Sequence, residues 1–171
     1  MFGVGLCCAL PLGDAAQAAE APARAKALVV RRFTLVKERD LSFGNIIPSA
    51  TQGGTVSIDP YNDARTSTVV TLAGGTSHAA RFVGAGTPGG FALVTWRVAP
   101  PYTLTRVGGT QTMTMDQLTA NAVLLSGRGF DFRQVPANGV LDIRIGGRLQ
   151  VAANQAQGEY EGTFEITVDY Y

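Results

Sequence analysis

At 171 residues the chain has the length of one ordinary domain, long enough to bury a real core. A net charge of +1, without any cluster of Lys and Arg, excludes a protein that holds nucleic acid by charge, so no nucleic-acid partner is expected. Only 16% of residues are charged while 21 residues are glycine, and short β-branched runs between Gly, Pro and Asn clusters replace helical periodicity; this points to an all-β sandwich or barrel.

Phe2 to Leu12 is apolar and leads into Ala16-Gln17-Ala18, a small-x-small cleavage pattern, so residues 1–18 read as the end of a secretory signal peptide. Nothing basic precedes the apolar run, and on this reading the true start codon lies upstream of Met1. The alternative is a buried N-terminal segment of a cytosolic protein. The run is too short to cross a bilayer, and no stable membrane span is expected. Cys7 and Cys8 both lie within it. Cleavage after Ala18 would leave a mature chain without cysteine, which excludes disulfides, thiolate nucleophiles and Cys-based metal sites. Leu6 argues against a lipoprotein signal, because a small residue is expected just before the lipidated cysteine.

Residues 19–29, rich in Ala and basic with Pro22, are expected to be extended, and residues 30–171 to form a single β-sandwich domain. Leu28–Val36 is strand-like. Leu41–Pro48 reads as a short strand broken by Gly44 and stopped by Pro48, and Thr55–Ile58 as another. Asp59-Pro60 with Asn62-Asp63 is turn chemistry. Further strands are predicted at Thr66–Leu72, Ala79–Val83, Gly90–Val98, Tyr102–Arg106 and Gln111–Met115. Residues 117–138 are the least regular and read as a long loop crossing the sandwich. In Val140–Val151, Leu141, Ile143 and Ile145 share one face, and Gly146-Gly147 permits a bulge or a hairpin; a bulge within one long strand is preferred.

The patterns that could carry chemistry are weak. Gly84 to Gly89 satisfies G-x-G-x-x-G, but dinucleotide binding requires a helix to open there, and Phe91 to Trp96 is strand-like; a Gly-rich hairpin loop is expected instead. His78 beside Ser77 invites a hydrolase proposal, yet no nucleophile elbow is near, and a solvated loop histidine is the plainer reading. Asp59, Asn62 and Asp63 could offer oxygen ligands to Ca²⁺, although turn formation explains the same letters. Asp116, Asp131 and Asp142 are scattered, and Trp96 suits a core better than a sugar platform. No catalytic, cofactor or metal residues are therefore assigned, and the chain is not expected to be an enzyme.

The strongest pattern is the C-terminal one. From Tyr160, the residues Gly162, Phe164, Ile166, Val168 and Tyr170 alternate with Glu161, Thr163, Glu165, Thr167 and Asp169, as in a strand with one face buried and one wet. So regular a strand must be paired on both edges, or must offer one edge to something else.

Asp40–Pro48, Gly54–Pro60, Ile145–Val151, Gln155 and Gly158–Tyr170 together resemble the bacterial domain-of-unknown-function family 4402, over essentially the whole mature chain. That family is in turn similar to spore coat protein U and the archaic chaperone–usher pilins. Gly158, fourteenth from the end, and the penultimate Tyr170 match the C-terminal motif of chaperone–usher subunits. The resemblance implies a secreted, immunoglobulin-like β-sandwich lacking its final strand, whose groove beside the C-terminal strand is filled first by a periplasmic chaperone and then by a neighbouring subunit's N-terminal extension. Gly158, Tyr160, Phe164, Ile166, Val168 and Tyr170 would be the assembly residues, with Tyr170 anchoring a chaperone or neighbour. The partners would be like subunits, a chaperone and an outer-membrane usher, without cofactor. The candidate donor lies within Ala19–Val36, where Ala23, Ala25, Ala27 and Val29 alternate with Arg24, Lys26, Leu28 and Val30.

The expected function is therefore a secreted structural subunit of a surface fibre, pilus-like or coat assembly, joined by strand complementation. The alternative is a self-contained secreted sandwich that binds a ligand such as a glycan through loops 84–90 and 117–138.

Overall fold

Alternation along one twelve-residue strand organises the molecule. In a computed structural model, which describes residues 32–96, 99–121 and 130–171, the chain forms β1 (Thr34–Arg39), β2 (Ser42–Phe43), β3 (Ile46–Ile47), β4 (Gly54–Ile58), β5 (Arg65–Thr68), β6 (Thr71–Leu72), β7 (Ser77–His78) and β8 (Ala80–Ala85). It continues through β9 (Phe91–Trp96), β10 (Tyr102–Arg106), β11 (Thr112–Ala120), β12 (Phe130–Gln134), β13 (Val140–Val151), β14 (Tyr160–Glu161) and β15 (Ile166–Tyr170). The strand β13 turns Leu141, Ile143, Ile145, Leu149 and Val151 into the core, while Asp142, Arg144, Arg148 and Gln150 lie on its wetter face.

The fold is all-β and sandwich-like, as expected. The larger sheet runs β1-β8-β13-β11-β10-β14, and every pairing in it is antiparallel. The strands β8 and β4 lie end to end along the edge of β13 that faces away from β11, meeting residues 140–145 and 147–151 respectively. Gly146 sits at their junction, where an added Cβ would run into the Ile58 carbonyl oxygen and Pro60. The smaller sheet runs β12-β9-β15. Ala92 and Val94 of β9 share one buried cluster with Leu141, Ile143 and Ile145, so the two inner faces meet.

Several expectations are corrected. The first described strand begins at Thr34, whereas Leu28–Val36 was expected; residues before 32, where a signal peptide was expected at 1–18, lie outside the described part. Residues 84–90 are not a hairpin loop: β8 and β9 belong to different sheets, and the glycine run carries the chain between layers. Residues 117–138 are not one loop, since β11 continues to Ala120 and β12 occupies 130–134. The predicted bulge lies in the neighbouring strand, where the β11 register shifts around Asp116, while β13 keeps its alternation through Gly146-Gly147. His78 is half-buried on β7, paired with β2, rather than solvated in a loop.

Charge ties the turn at 59–64 to the larger sheet. Asp63 accepts hydrogen bonds from the Ala79 N–H (2.8 Å) and Arg39, and pairs with Arg144 at 2.6 Å. Burial pushes its carboxyl up, but these three donors outweigh it and bring the pKa from 3.8 to about 2. A carboxylate depressed in the folded state stabilises above its unfolded pKa and loses that contribution as pH falls through the folded value. Thermal unfolding is therefore expected to show a stability loss of about 1–2 kcal/mol as pH falls from about 4 to about 2. Asp63→Asn should remove most of this acid limb while lowering stability at neutral pH.

Candidate functional site: an open strand edge

The C-terminal segment keeps its alternation but not its partner, which corrects the expectation of one continuous strand. Tyr160 and Glu161 pair with Arg106 and Thr105 of β10 in the larger sheet. The chain then crosses the sandwich. Gly162 passes so close to Leu104 and the Thr103 carbonyl that a Cβ would lie 2.7 Å from that oxygen. Phe164 meets Phe82 edge-on, with ring centroids 6.4 Å apart, and tilts against Tyr102 at 6.2 Å. Burial there pushes the Tyr102 hydroxyl pKa up. From Ile166 the chain pairs with β9, Ile166 opposite Trp96 and Tyr170 opposite Ala92. Period-two alternation survives at Tyr160, Phe164, Ile166, Val168 and Tyr170, which pack against the same core whichever sheet holds the backbone, while Gly162 is exposed at the crossing.

The strand β15 is the outermost of its sheet: among the described residues, it pairs with β9 alone. Phe91 and Tyr171 exchange both backbone hydrogen bonds, at 3.1 and 2.8 Å, which sets the phase of the ladder. Asp169 and Thr167 then point their backbone groups at β9. Ile166, Val168 and Tyr170 direct theirs at the open edge. Those same three residues carry the inward side chains, and each is half-buried, whereas Ala92 and Val94 opposite them are at 0% and 2% exposure. Across the gap stands β1, the outermost strand of the larger sheet, which pairs only with β8 among the described residues. Its Leu35 and Val36 are 36% and 60% exposed.

One end of this gap is latched. Phe33 stacks on Tyr170 at 5.6 Å, over Gly84 and Gly86. The Tyr170 hydroxyl accepts from the Thr87 N–H (2.9 Å) and donates to the Thr87 carbonyl (3.1 Å). The other end opens into a groove of about 1540 Å³. Its walls are the segment following β1 and the segment leading into β15, and Met113, Met115 and Leu149 line it from the larger sheet. Glu159, Glu161 and Asp169 are exposed on the outer side of the C-terminal segment.

The assembly residues expected from sequence thus divide. Phe164, Ile166, Val168 and Tyr170 line up along the gap. Tyr160 lines the groove, its hydroxyl donating to the Ala156 carbonyl (2.7 Å) and accepting from Gln155 (2.8 Å). Gly158 serves as a backbone position, at φ +152° against Arg106. Tyr170 is engaged within the chain. Phe33, Leu35, Phe82 and Thr87 were not anticipated; the period-two glycines Gly84 and Gly86, which leave room for a ring, were the available signal. Tyr170→Phe keeps the stack and deletes both hydroxyl bonds, so it is expected to cost about 1–2 kcal/mol in urea unfolding. Tyr170→Ala should cost more, because the ring contact goes too.

Others of the chemical candidates are absorbed by structure, while the side chains of Trp96 and Asp131 lie outside the described part. Asp59 accepts from the Tyr61 N–H and Asn62 from the Ala64 N–H, both within the turn. Asp116 is held by Arg148 and Gln150, and Asp142 by Arg81. Among the described residues, no three His, Cys, Asp or Glu side chains are grouped to hold a metal, and no helix is long and apolar enough to cross a membrane.

Compared with protein families, residues 33–170 match the one described as Domain of unknown function (DUF4402). The chain belongs to that family. The match begins at Phe33 and ends at Tyr170, the two rings that form the latch, so the DUF4402 unit includes both edges of the gap. No curated protein and no solved structure matches this DUF4402 chain.

Proposed function

We propose that this DUF4402 protein is a secreted structural subunit of a surface fibre, pilus-like or coat assembly, whose copies join by β-strand complementation. One observation carries the reading: the open edge of β15 presents the backbone groups of Ile166, Val168 and Tyr170 above their own half-buried side chains. An added strand would satisfy those groups and cover that apolar surface at once. Complete burial of Phe164, Ile166 and Val168 is worth roughly 1.5–3 kcal/mol for each side chain, part of which the lone chain already gains. The apolar leader at 1–18 supports export through a periplasm to the cell surface, where a chaperone would guard the edge and an usher pass the subunit on. The likeness of the C-terminal motif to spore coat protein U and chaperone–usher pilins supports the same assignment.

Material sheared from cells expressing the native gene tests this. An antibody to the chain should reveal, on unheated gels, a regular ladder of multiples that collapses to one band on boiling. A single band before heating would refute a polymerising subunit. The alternative, a self-contained glycan-binding sandwich using 84–90 and 117–138, has less support, because strands occupy much of the second stretch and the first is tied to Tyr170, Val135 and Gly139 by hydrogen bonds.

A further inference from the structure

One row of polar side chains crosses five strands on the outer face of the larger sheet. Register places Thr68 of β5 opposite Thr55 of β4, and Thr55 opposite Gln150 of β13. Gln150 in turn lies opposite Thr114 of β11, and Thr114 opposite Thr103 of β10. Threonine is a good strand former on any wet face, so the row alone implies no ligand. At one end, however, the chain leaving β13 turns, with the Gln155 N–H donating to the Ala152 carbonyl (3.3 Å) and the Asn154 N–H to the Ser49 carbonyl (2.7 Å). A cleft of about 460 Å³ opens there, within the roughly 300–1,000 Å³ of small-ligand sites. Thr55, Thr68, Thr112, Thr114, Gln150 and Gln155 supply its polar lining, and none of the residues around it is ionisable.

The polar groups of the cleft are set in advance. Gln150 donates through Nε2 to Asp116 (2.7 Å), and Gln155 through Nε2 to the Tyr160 hydroxyl (2.8 Å) and the Thr112 carbonyl (3.2 Å). Each amide is held by its nitrogen, so its oxygen is the group left to accept. Thr68 Oγ1 accepts from the Thr55 N–H (3.1 Å) and lies 3.0 Å from Thr55 Oγ1. When Thr68 donates across that contact, the Thr55 hydroxyl proton is left for a ligand. The exposed hydroxyls of Thr112 and Thr114 make no hydrogen bond among the described residues. We propose that this cleft binds the end of a neutral glycan. Sugar hydroxyls donate to the two glutamine oxygens and accept from the threonines, while Gly53, Gly54 and Ala152 offer a low apolar surface to the C–H face of the ring. A charged ligand finds no counter-charge in the lining, and a lipid chain would strand these polar groups. None of the lining residues lies in 84–90 or 117–138. The cleft belongs to the larger sheet and the open edge of β15 to the smaller one, so glycan binding does not depend on assembly. In a fibre joined at that edge, every copy would present the cleft, and binding would gain by multivalency.

Binding of the purified full chain to an array of immobilised neutral, sialylated and sulfated oligosaccharides tests the site. Neutral glycans should be retained in preference to the charged ones. Thr112→Val with Thr114→Val keeps shape and strand preference while deleting two hydroxyls. The pair should weaken that binding by about tenfold or more and leave thermal unfolding unchanged. Thr66→Val, on the same face but outside the cleft, should bind as the parent chain does. O-methylation of the retained glycan removes its donors, keeps its acceptor oxygens, and should abolish retention. Retention of no neutral glycan, a preference for charged ones, or survival of binding after O-methylation would overturn the ligand class. Binding left intact by the paired valine substitutions would overturn the cleft as its place. The surface ladder judges the subunit reading separately, whichever way the array falls.

Discussion

Val168→Asp is expected to abolish the surface ladder while leaving the sandwich folded. The side chain lies on the inward face of β15, half-buried at the gap, and its backbone groups point to the open edge. In a chain whose seam is open, a carboxylate there keeps contact with water, and the loss is the partial burial of one valine, about 1 kcal/mol. Once a strand lies alongside, the same carboxylate is shut in without a partner, which costs several kcal/mol. Association should therefore weaken by about a hundredfold or more, at roughly 1.4 kcal/mol for each factor of ten. Thr167→Asp provides the control, because Thr167 is exposed and its backbone is committed to β9. The ladder should survive Thr167→Asp and vanish in Val168→Asp, with circular dichroism spectra alike for both. Loss of the ladder in both, or in neither, would remove the edge of β15 from the assembly.

Gly146→Val should leave little folded protein. A side chain at this position would run into the Ile58 carbonyl oxygen and Pro60, and the obstacles are backbone and ring rather than a flexible tip. The strand cannot withdraw, because β11 holds one edge of β13 while β8 and β4 hold the other. Overpacking of this kind costs about 3 kcal/mol or more, against a total stability of about 5–15 kcal/mol for a domain. Soluble yield and the urea midpoint report the loss. Gly108→Ala, which places its methyl in open space at φ +70°, should cost only about 1 kcal/mol. Equal loss in both variants would mean that the junction of β8 and β4 is not the constraint.

The accuracy of the sequence reading followed local pattern. Tyr102–Arg106 was expected with the bounds it has, and the break at Gly44 separates β2 from β3 at φ +68°. Both signals are carried by adjacent residues. The strand β12 was missed because its aromatics point the wrong way for a buried-face rule: Phe132 is 47% exposed and stacks on Phe91 at 5.2 Å, while Arg133 bonds to the Asp142 carbonyl and Asn121. A five-residue strand with that pattern exists through its pairing with β9, and nothing within it announces the partner. The bulge was placed at two glycines because glycine permits one. The shift arose at Asp116, which Arg148 and Gln150 draw outward from across the sheet.

The amino-acid order by itself determined the all-β class, the position of most strands and the inward face of Tyr160, Phe164, Ile166, Val168 and Tyr170. Periodicity encodes those features, and periodicity is a property of neighbouring residues. It could not determine which strand each backbone would bond to, because a ladder is blind to side-chain identity along its edge. Packing of the two sheets decided that Tyr160 joins β10, that Ile166–Tyr170 joins β9, and that Tyr170 closes against Phe33 and Thr87 from distant parts of the chain. The gap beside β15 follows from those pairings, since two sheet edges face each other there and the backbone groups of Ile166, Val168 and Tyr170 turn toward it.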